Sequence, residues 1–148
     1  MAPVKRRILF LCTGNSCRSQ MAEVLTNHLR GEEFEAFSAG VQPHPLDPRA
    51  VTVMAELGLD ISGQRSKDVS EFLDQQFDYV VTLCDHARES CPFFPGAARR
   101  VHAGFDDPPL LATGARSEEE ALAIYRRVRD QIKAFVEAMP ASLEQQTA

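Results

Sequence analysis

RRILFLCTGNSCRSQMAEVL, residues 6–25, changes character twice within twenty positions. Arg7 to Leu11 is a continuous apolar run, the pattern of a strand buried on both faces of a parallel sheet. From about Cys17 to Arg30, Met21, Leu25 and Leu29 recur at helical spacing and predict an amphipathic helix. A buried strand therefore passes through a short polar loop into a helix, with a thiol, Cys12, at one end of the loop and a guanidinium, Arg18, at the other.

The remaining elements extend that unit. Residues 33–37 alternate polar and apolar and predict a second strand ending at Ala39-Gly40. Pro43, Pro45 and Pro48 stiffen the next connection. Asp47 is suited to cap a helix with Pro48 at its first position, and that helix stops at Gly58. A short helix is expected around residues 70–74, and a strongly β-like run, 77–83, leads straight into Cys84. Residues 99–102 form a short fourth strand, followed by a loop, AGFDDPPLLATGA. The last helix, about 117–138, starts at a capping-box-like SEEE and carries Leu122, Tyr125, Val128, Ile132 and Phe135 on one face. The closing residues, about 140–148, are expected to fray. Alternating strands and helices predict an α/β fold, a four-stranded parallel sheet with helices on both faces. Ligands of such folds bind beyond the carboxyl ends of the strands, the edge that Cys12 and Cys84 share.

At 148 residues the chain reads as a single domain, 1–148, able to bury roughly 70% of its unfolded surface. Its 44% hydrophobic and 25% charged content is that of a soluble globular protein. No apolar run approaches the ~18 residues of a membrane span, so no membrane partner is expected. The start, MAPVKRRILFLC, has too short an apolar stretch for a secretory signal, which makes the cytoplasm the expected compartment. A net charge of −5 with scattered basic residues argues against nucleic acid as a partner. Cysteines occur only at 12, 17, 84 and 91, too few and too irregular for a disulfide scaffold in a reducing compartment. Neither pair has the close spacing of a zinc site, and no metal is assigned.

Between Cys12 and Arg18 lie Thr13, Gly14, Asn15, Ser16 and Cys17, a C-x5-R spacing. A tight strand-to-helix loop turns successive backbone N–H groups inward and makes an anion nest. Gly14 and Asn15 are residue types that tolerate the positive φ such a loop requires. Arg18 offers a forked pair of donors to a tetrahedral oxyanion. A helix N-terminus and an arginine also favour the thiolate form of a neighbouring cysteine, here Cys12, and Ser19 is placed to donate a hydrogen bond to it. Oxyanion binding and sulfur activation thus coincide. The absence of G-x4-G-K-[ST] excludes a nucleotide P-loop. Cys84 and Cys91 flank six residues; if these are helical, the thiols lie about 10 Å apart, beyond disulfide reach until the segment loops out.

The loop resembles the signature of the low-molecular-weight protein tyrosine phosphatase fold. Over nearly its full length the chain is similar to the thioredoxin-coupled arsenate reductases of that fold, on SAGVQPHPLDPRAVTVMAELGLDISGQRSK, DYVVTLCDHARESCPFFPG, HAGFDDPP and the closing helix. The resemblance implies that Cys12 attacks arsenate held by residues 13–18 while Asp107, the aspartate directly before proline, protonates the departing oxygen. It implies further that Cys84 then forms a disulfide with Cys12, that Cys91 takes over the bond to Cys84, and that thioredoxin reduces it. Cys17 matches a loop cysteine of the phosphatases and receives no redox step. Some members hold potassium beside the loop; Asn15, Glu23 and Ser38 match three ligand positions, but Lys67 stands at the fourth. Independence of potassium, and no cofactor, is therefore expected, and a monomer is the default for the fold.

The four histidines are read more plainly: His28, His44 and His86 as solvent-side or locally hydrogen-bonded, His102 without a catalytic role. Phe93-Phe94 suits core packing better than a cover over the redox segment. Two rival functions remain. A tyrosine phosphatase would share loop and acid, but those enzymes usually place an aromatic residue after Asp-Pro, where this chain has Pro109 and Leu110. A non-catalytic arsenic or redox sensor would have no need of the full Cys12, Arg18 and Asp107 set.

Overall fold

The computed structural model describes residues 4–96 and 98–145. Four strands, β1 (Arg6–Cys12), β2 (Phe34–Gly40), β3 (Tyr79–Thr82) and β4 (Arg99–His102), form an all-parallel sheet in the order β2-β1-β3-β4. The helices are α1 (Arg18–Leu29), α2 (Pro48–Ala55), α3 (Asp85–Ser90), α4 (Pro108–Ala112), α5 (Glu118–Glu137) and α6 (Ala141–Gln145), with one 3₁₀ turn at Val69–Phe72. No helix among the described residues is long and apolar enough to cross a membrane.

Alternation along β1 divides the core. Ile8, Phe10 and Cys12 face a layer built from Met21 and Leu25 of α1, Val53 and Met54 of α2, and Tyr125 and Ile132 of α5. Leu9 and Leu11 face the other way, towards Phe72, Phe77, Ala87 and Phe94. On that second side Phe77 meets Phe37 and Phe94 edge-on, with ring centroids 5.8 Å apart in each pair. The expected helices on both faces are present, but the second face is covered mainly by a 3₁₀ turn and the short α3.

Chain direction places the site. From β1 the chain moves outward to β2, and from β3 it moves the opposite way to β4, so the crossovers diverge at the carboxyl ends of β1 and β3. That divergence opens a crevice in a parallel sheet. Cys12 is in register with Gly40, and Thr82 with Leu11 and His102, so all of them reach the same edge.

Two stretches differ from the sequence reading. Residues 108–112, expected as loop, form α4, because Asp107 precedes two prolines that are pre-set for a first helical turn. The tail expected to fray folds back as α6, with Leu143 fully buried and the Ser142 hydroxyl donating to the Phe135 carbonyl at 2.7 Å. The last three residues of that expectation, 146–148, lie outside the described residues.

Candidate active site

The loop after β1 is shaped from outside. Backbone N–H groups of Val41, Gln42, His44 and Asp47 donate to the carbonyls of Cys12, Thr13, Gly14 and Ser16 at 2.8–3.2 Å. The Asn15 carbonyl accepts from Ser66 Oγ at 2.9 Å and Gln20 Nε2 at 3.1 Å. With these carbonyls drawn outward, the amides of residues 13–17 have no protein acceptor among the described residues, which is the condition of an anion nest. Asn15, wholly buried, takes the expected positive φ, 51°. Gly14 does not. A Cβ there would stand 2.8 Å from the ring of His44, an exposed side chain that would have to turn aside. Gly40 is the glycine that space requires: its Cβ would stand 2.7 Å from the Thr13 carbonyl oxygen and 2.9 Å from the Asn15 backbone nitrogen.

Cys12 is buried, with Sγ 2.8 Å from Ser19 Oγ. The direction of that bond follows from its neighbours. Asn15 Nδ2 donates to Ser19 Oγ at 2.7 Å, so the single Ser19 proton is left for the sulfur. Arg18 is buried in the first turn of α1, fixed by an Nη1 bond to the Phe105 carbonyl at 2.9 Å. Its Nη2 lies 3.7 Å from Asp107 Oδ1. Cys12, Cys17, Arg18, His44, Asp47 and Asp107 all line one cavity of about 500 Å³. Asp106 turns away to Arg127, 3.2 Å distant on the surface. Burial, then the Asp47 and Cys12 charges, push the Cys17 thiol up, so it is a neutral wall of the cavity. A wider hollow of about 720 Å³ at the amino end of the sheet, beside Lys5, Arg30 and Glu33, carries no thiol.

The second thiol stands next to the loop. Cys84 caps α3, its Sγ accepting from the Ala87 N–H at 3.4 Å. The Thr13 hydroxyl lies 3.3 Å from Cys84 Sγ and 3.3 Å from His86 Nδ1. Cys91 follows α3 directly, half-buried, and burial raises its pKa. All four cysteines are free thiols. The two aromatic residues beyond Cys91 divide: Phe94 is core, whereas Phe93 is 81% exposed.

Several residues that hold the site escape sequence reasoning. Gln20 bridges the loop to the Arg65 carbonyl at 2.8 Å, and Ser66 and Gly40 brace it from distant parts of the chain. Only the tertiary fold brings them there; the one sequence signal is that the glycine closes a strand at the loop's edge. The Lys67 ammonium lies 3.4 Å from both Glu23 Oε1 and Ser38 Oγ. Among the described residues no three His, Cys, Asp or Glu side chains converge as a metal site.

Comparison with known proteins bears on this arrangement. A family model described as low molecular weight phosphotyrosine protein phosphatase matches residues 7–148. An arsenate reductase of Halalkalibacterium halodurans is 50% identical over 128 residues, covering 86% of this chain and 90% of the relative. Among solved structures, an arsenate reductase in its phosphate binding state is similar at a TM-score of 0.71 and 29% identity, over 93% of this chain and 98% of that one. A low molecular weight protein tyrosine phosphatase from T. tengcongensis is similar at 0.69 and 28% identity, over 95% and 99%.

Proposed function

The chain belongs to the low molecular weight phosphotyrosine protein phosphatase family and stands with its arsenate reductases, and we propose that it reduces arsenate to arsenite through Cys12, Cys84 and Cys91 in turn, with thioredoxin as external reductant. The observation that carries this reading is the placement of Cys84: its sulfur is hydrogen-bonded to Thr13, the residue that follows the loop nucleophile. A phosphatase has no use for a second thiol there.

Arsenate sits in the nest of residues 13–17 with Arg18 across it, where fixed donors replace water around a dianion. The Cys12 thiolate, held by the Ser19 proton, forms a bond to arsenic and displaces one oxygen. Asp107, on the far wall, protonates that oxygen so that it departs as water. Cys84 then attacks the Cys12 sulfur. A sulfur–sulfur bond forms, the sulfur–arsenic bond breaks, and the electron pair stays on arsenic, which leaves as arsenite. Attack by Cys91 on Cys84 moves the disulfide outward and restores Cys12 as a thiol. Thioredoxin's dithiol reduces the Cys84–Cys91 bond and is itself oxidised.

The third step requires motion. Cys84 and Cys91 bracket the six-residue α3, and residues seven apart on a helix are separated by about 10 Å, so α3 unwinds before they bond. A short helix with one buried residue, Ala87, is suited to that.

Potassium does not fit this chain. Glu23 and Ser38 already face an internal ammonium, and Asn15 Oδ1 already accepts from the Lys67 N–H at 2.8 Å and from Gln20 at 3.1 Å. The reaction is accordingly assigned no metal, and its setting is a monomer in the cytoplasm, where thiols stay reduced.

The test is arsenate-dependent NADPH oxidation coupled through thioredoxin reductase and thioredoxin. Turnover in the wild type and its loss in both Cys84→Ser and Cys91→Ser is the expected result. Full turnover in either variant sinks the relay. An inactive wild type that hydrolyses p-nitrophenyl phosphate is a phosphatase.

A further inference from the structure

The second step of the relay needs an acceptor for the Cys84 proton. Cys84 attacks as a thiolate, so the proton of its thiol has to be taken up as it does so. Ser19 is committed to Cys12 and Arg18 to Phe105, and Asp107, ionised once it has protonated the departing oxygen, lines with Arg18 a cavity that Cys84 does not line. What Cys84 Sγ does touch is the Thr13 hydroxyl, and that hydroxyl touches His86 Nδ1.

We propose that His86 is the proton acceptor for Cys84, acting through the Thr13 hydroxyl as a positioning residue of the second step. The inference rests on the reductase reading. A threonine hydroxyl has one proton to give and lone pairs to receive. With Nδ1 unprotonated, the consistent chain runs Cys84 S–H to Thr13 Oγ1 and Thr13 O–H to His86 Nδ1. As the thiolate attacks, the S–H proton moves to Thr13 and the Thr13 proton moves to Nδ1. The chain then runs in reverse, with imidazolium donating to Thr13 and Thr13 donating to the sulfur. No atom is gained or lost, and the electrons of the Cys84 sulfur go into the disulfide as arsenic takes the pair from the broken sulfur–arsenic bond.

The setting suits a base that must exchange its proton with solvent. His86 is exposed on the first turn of α3. The hollow it shares with Val41, Gln42, Val69 and Leu73 contains no other ionisable side chain. On its own helix the charged neighbours are Asp85, Arg88 and Glu89, and Asp85 is turned to Arg88 at 3.1 Å and to His102 at 3.4 Å. Imidazole is the side chain that ordinarily takes up and releases a proton between pH 5 and 8. The same link ties the base to the step: once α3 unwinds for the third thiol, Thr13 and His86 separate.

His86→Asn separates proton uptake from shape, because its Oδ1 stands near the place of Nδ1 and still accepts from Thr13 but takes no proton. Arsenite release is measured in a single turnover on Cys91→Ser, with and without His86→Asn, across pH. With His86 present the rate should rise through the imidazole range. With Asn it should be about tenfold lower at neutral pH, a modest share of what a general base contributes, and should recover only in more alkaline solution, as the thiol ionises unaided. Superimposable profiles overturn the proposal. A second readout needs no arsenate: the pH dependence of Cys84 alkylation by iodoacetamide in Cys12→Ser/Cys91→Ser, located by mass spectrometry. If the wild type releases no arsenite the reductase reading fails, and the alkylation profile still decides whether His86 ionises Cys84.

Discussion

Asn15 carries more of the site than its neutral side chain suggests. It is the one non-glycine residue among those described with positive φ, a conformation that asparagine tolerates better than other side chains. Its amide is fixed from both ends: Oδ1 accepts from Gln20 and from the Lys67 N–H, which leaves Nδ2 to donate to Ser19 and so aim the Ser19 proton at Cys12. Lys67 enters this network twice, since its ammonium also neutralises Glu23, a carboxylate only 15% exposed. Removing that ammonium leaves a largely buried charge unpaired, while the backbone N–H that supports Asn15 remains. Lys67→Ala should therefore lower stability by about 1–2 kcal/mol, less than for a fully buried pair because of the long contact and residual hydration. It should also create a vacancy for a monovalent cation between Glu23 and Ser38. The melting temperature of the wild type should be the same in potassium and in choline chloride at equal ionic strength, whereas the variant should melt higher in potassium. A wild type that gains stability from potassium would show that Lys67 does not substitute for the cation.

At the scale of elements, α2 and α5 show where pattern reading succeeds and where it stops. Apolar spacing located α5 to within a residue at each end, but the buried stripe is Ala121, Tyr125, Val128, Ile132 and Val136, with Leu122 and Phe135 at its margins. The stripe is turned because Arg129, a charged residue, occupies its centre. Its Nη1 donates at 2.9 Å to the carbonyl of Val53, one of the last carbonyls of α2, and at 2.8 Å to Glu56. A helix end leaves such carbonyls without partners, and Arg129 closes this one from another helix. Periodicity records which residues are apolar, not which polar atom across the interface needs a donor. The same limit hid Gln20, Ser66 and Gly40, whose work at the loop depends on contacts across the chain. The loop of Cys12 and Arg18 was legible because its chemistry is local to a motif, Asp107 was assigned only through the family resemblance, and α6 was not legible because Leu143 is the only large apolar residue in its span. Arg129→Ala should cost about 2–3 kcal/mol, the range for orphaning a buried acceptor and losing a charged hydrogen bond. Urea unfolding measures it, and a loss within experimental error of zero would show that water serves Val53 equally well.

Across the whole molecule, the long connections are pinned by ion pairs and one hydrogen-bonded carboxylate that titrate in the same direction. Glu56 is held below the usual carboxylate range chiefly by hydrogen bonding to Arg126, Glu118 by Arg49, Glu71 by Arg65, and Asp60 by Ser62. Two of these pairs, Arg49–Glu118 and Arg126–Glu56, tie α2 to α5, the helices that wall the core behind the loop. A carboxylate whose folded pKa lies below its unfolded value binds fewer protons when folded. Its contribution is therefore fully present above the unfolded value, about 4.3 for glutamate, and is lost as pH falls through the folded one. These groups are largely exposed, so each effect is small and screened by salt, but all act in the same direction. The melting temperature should fall as pH is lowered from about 5 to 3, and less steeply in Glu56→Gln/Glu118→Gln, because glutamine has no proton to take up. The variant should start below the wild type at neutral pH and the two curves should converge in acid. Parallel curves would mean that acid acts through other carboxylates, and that the α2–α5 pairs contribute nothing that depends on charge.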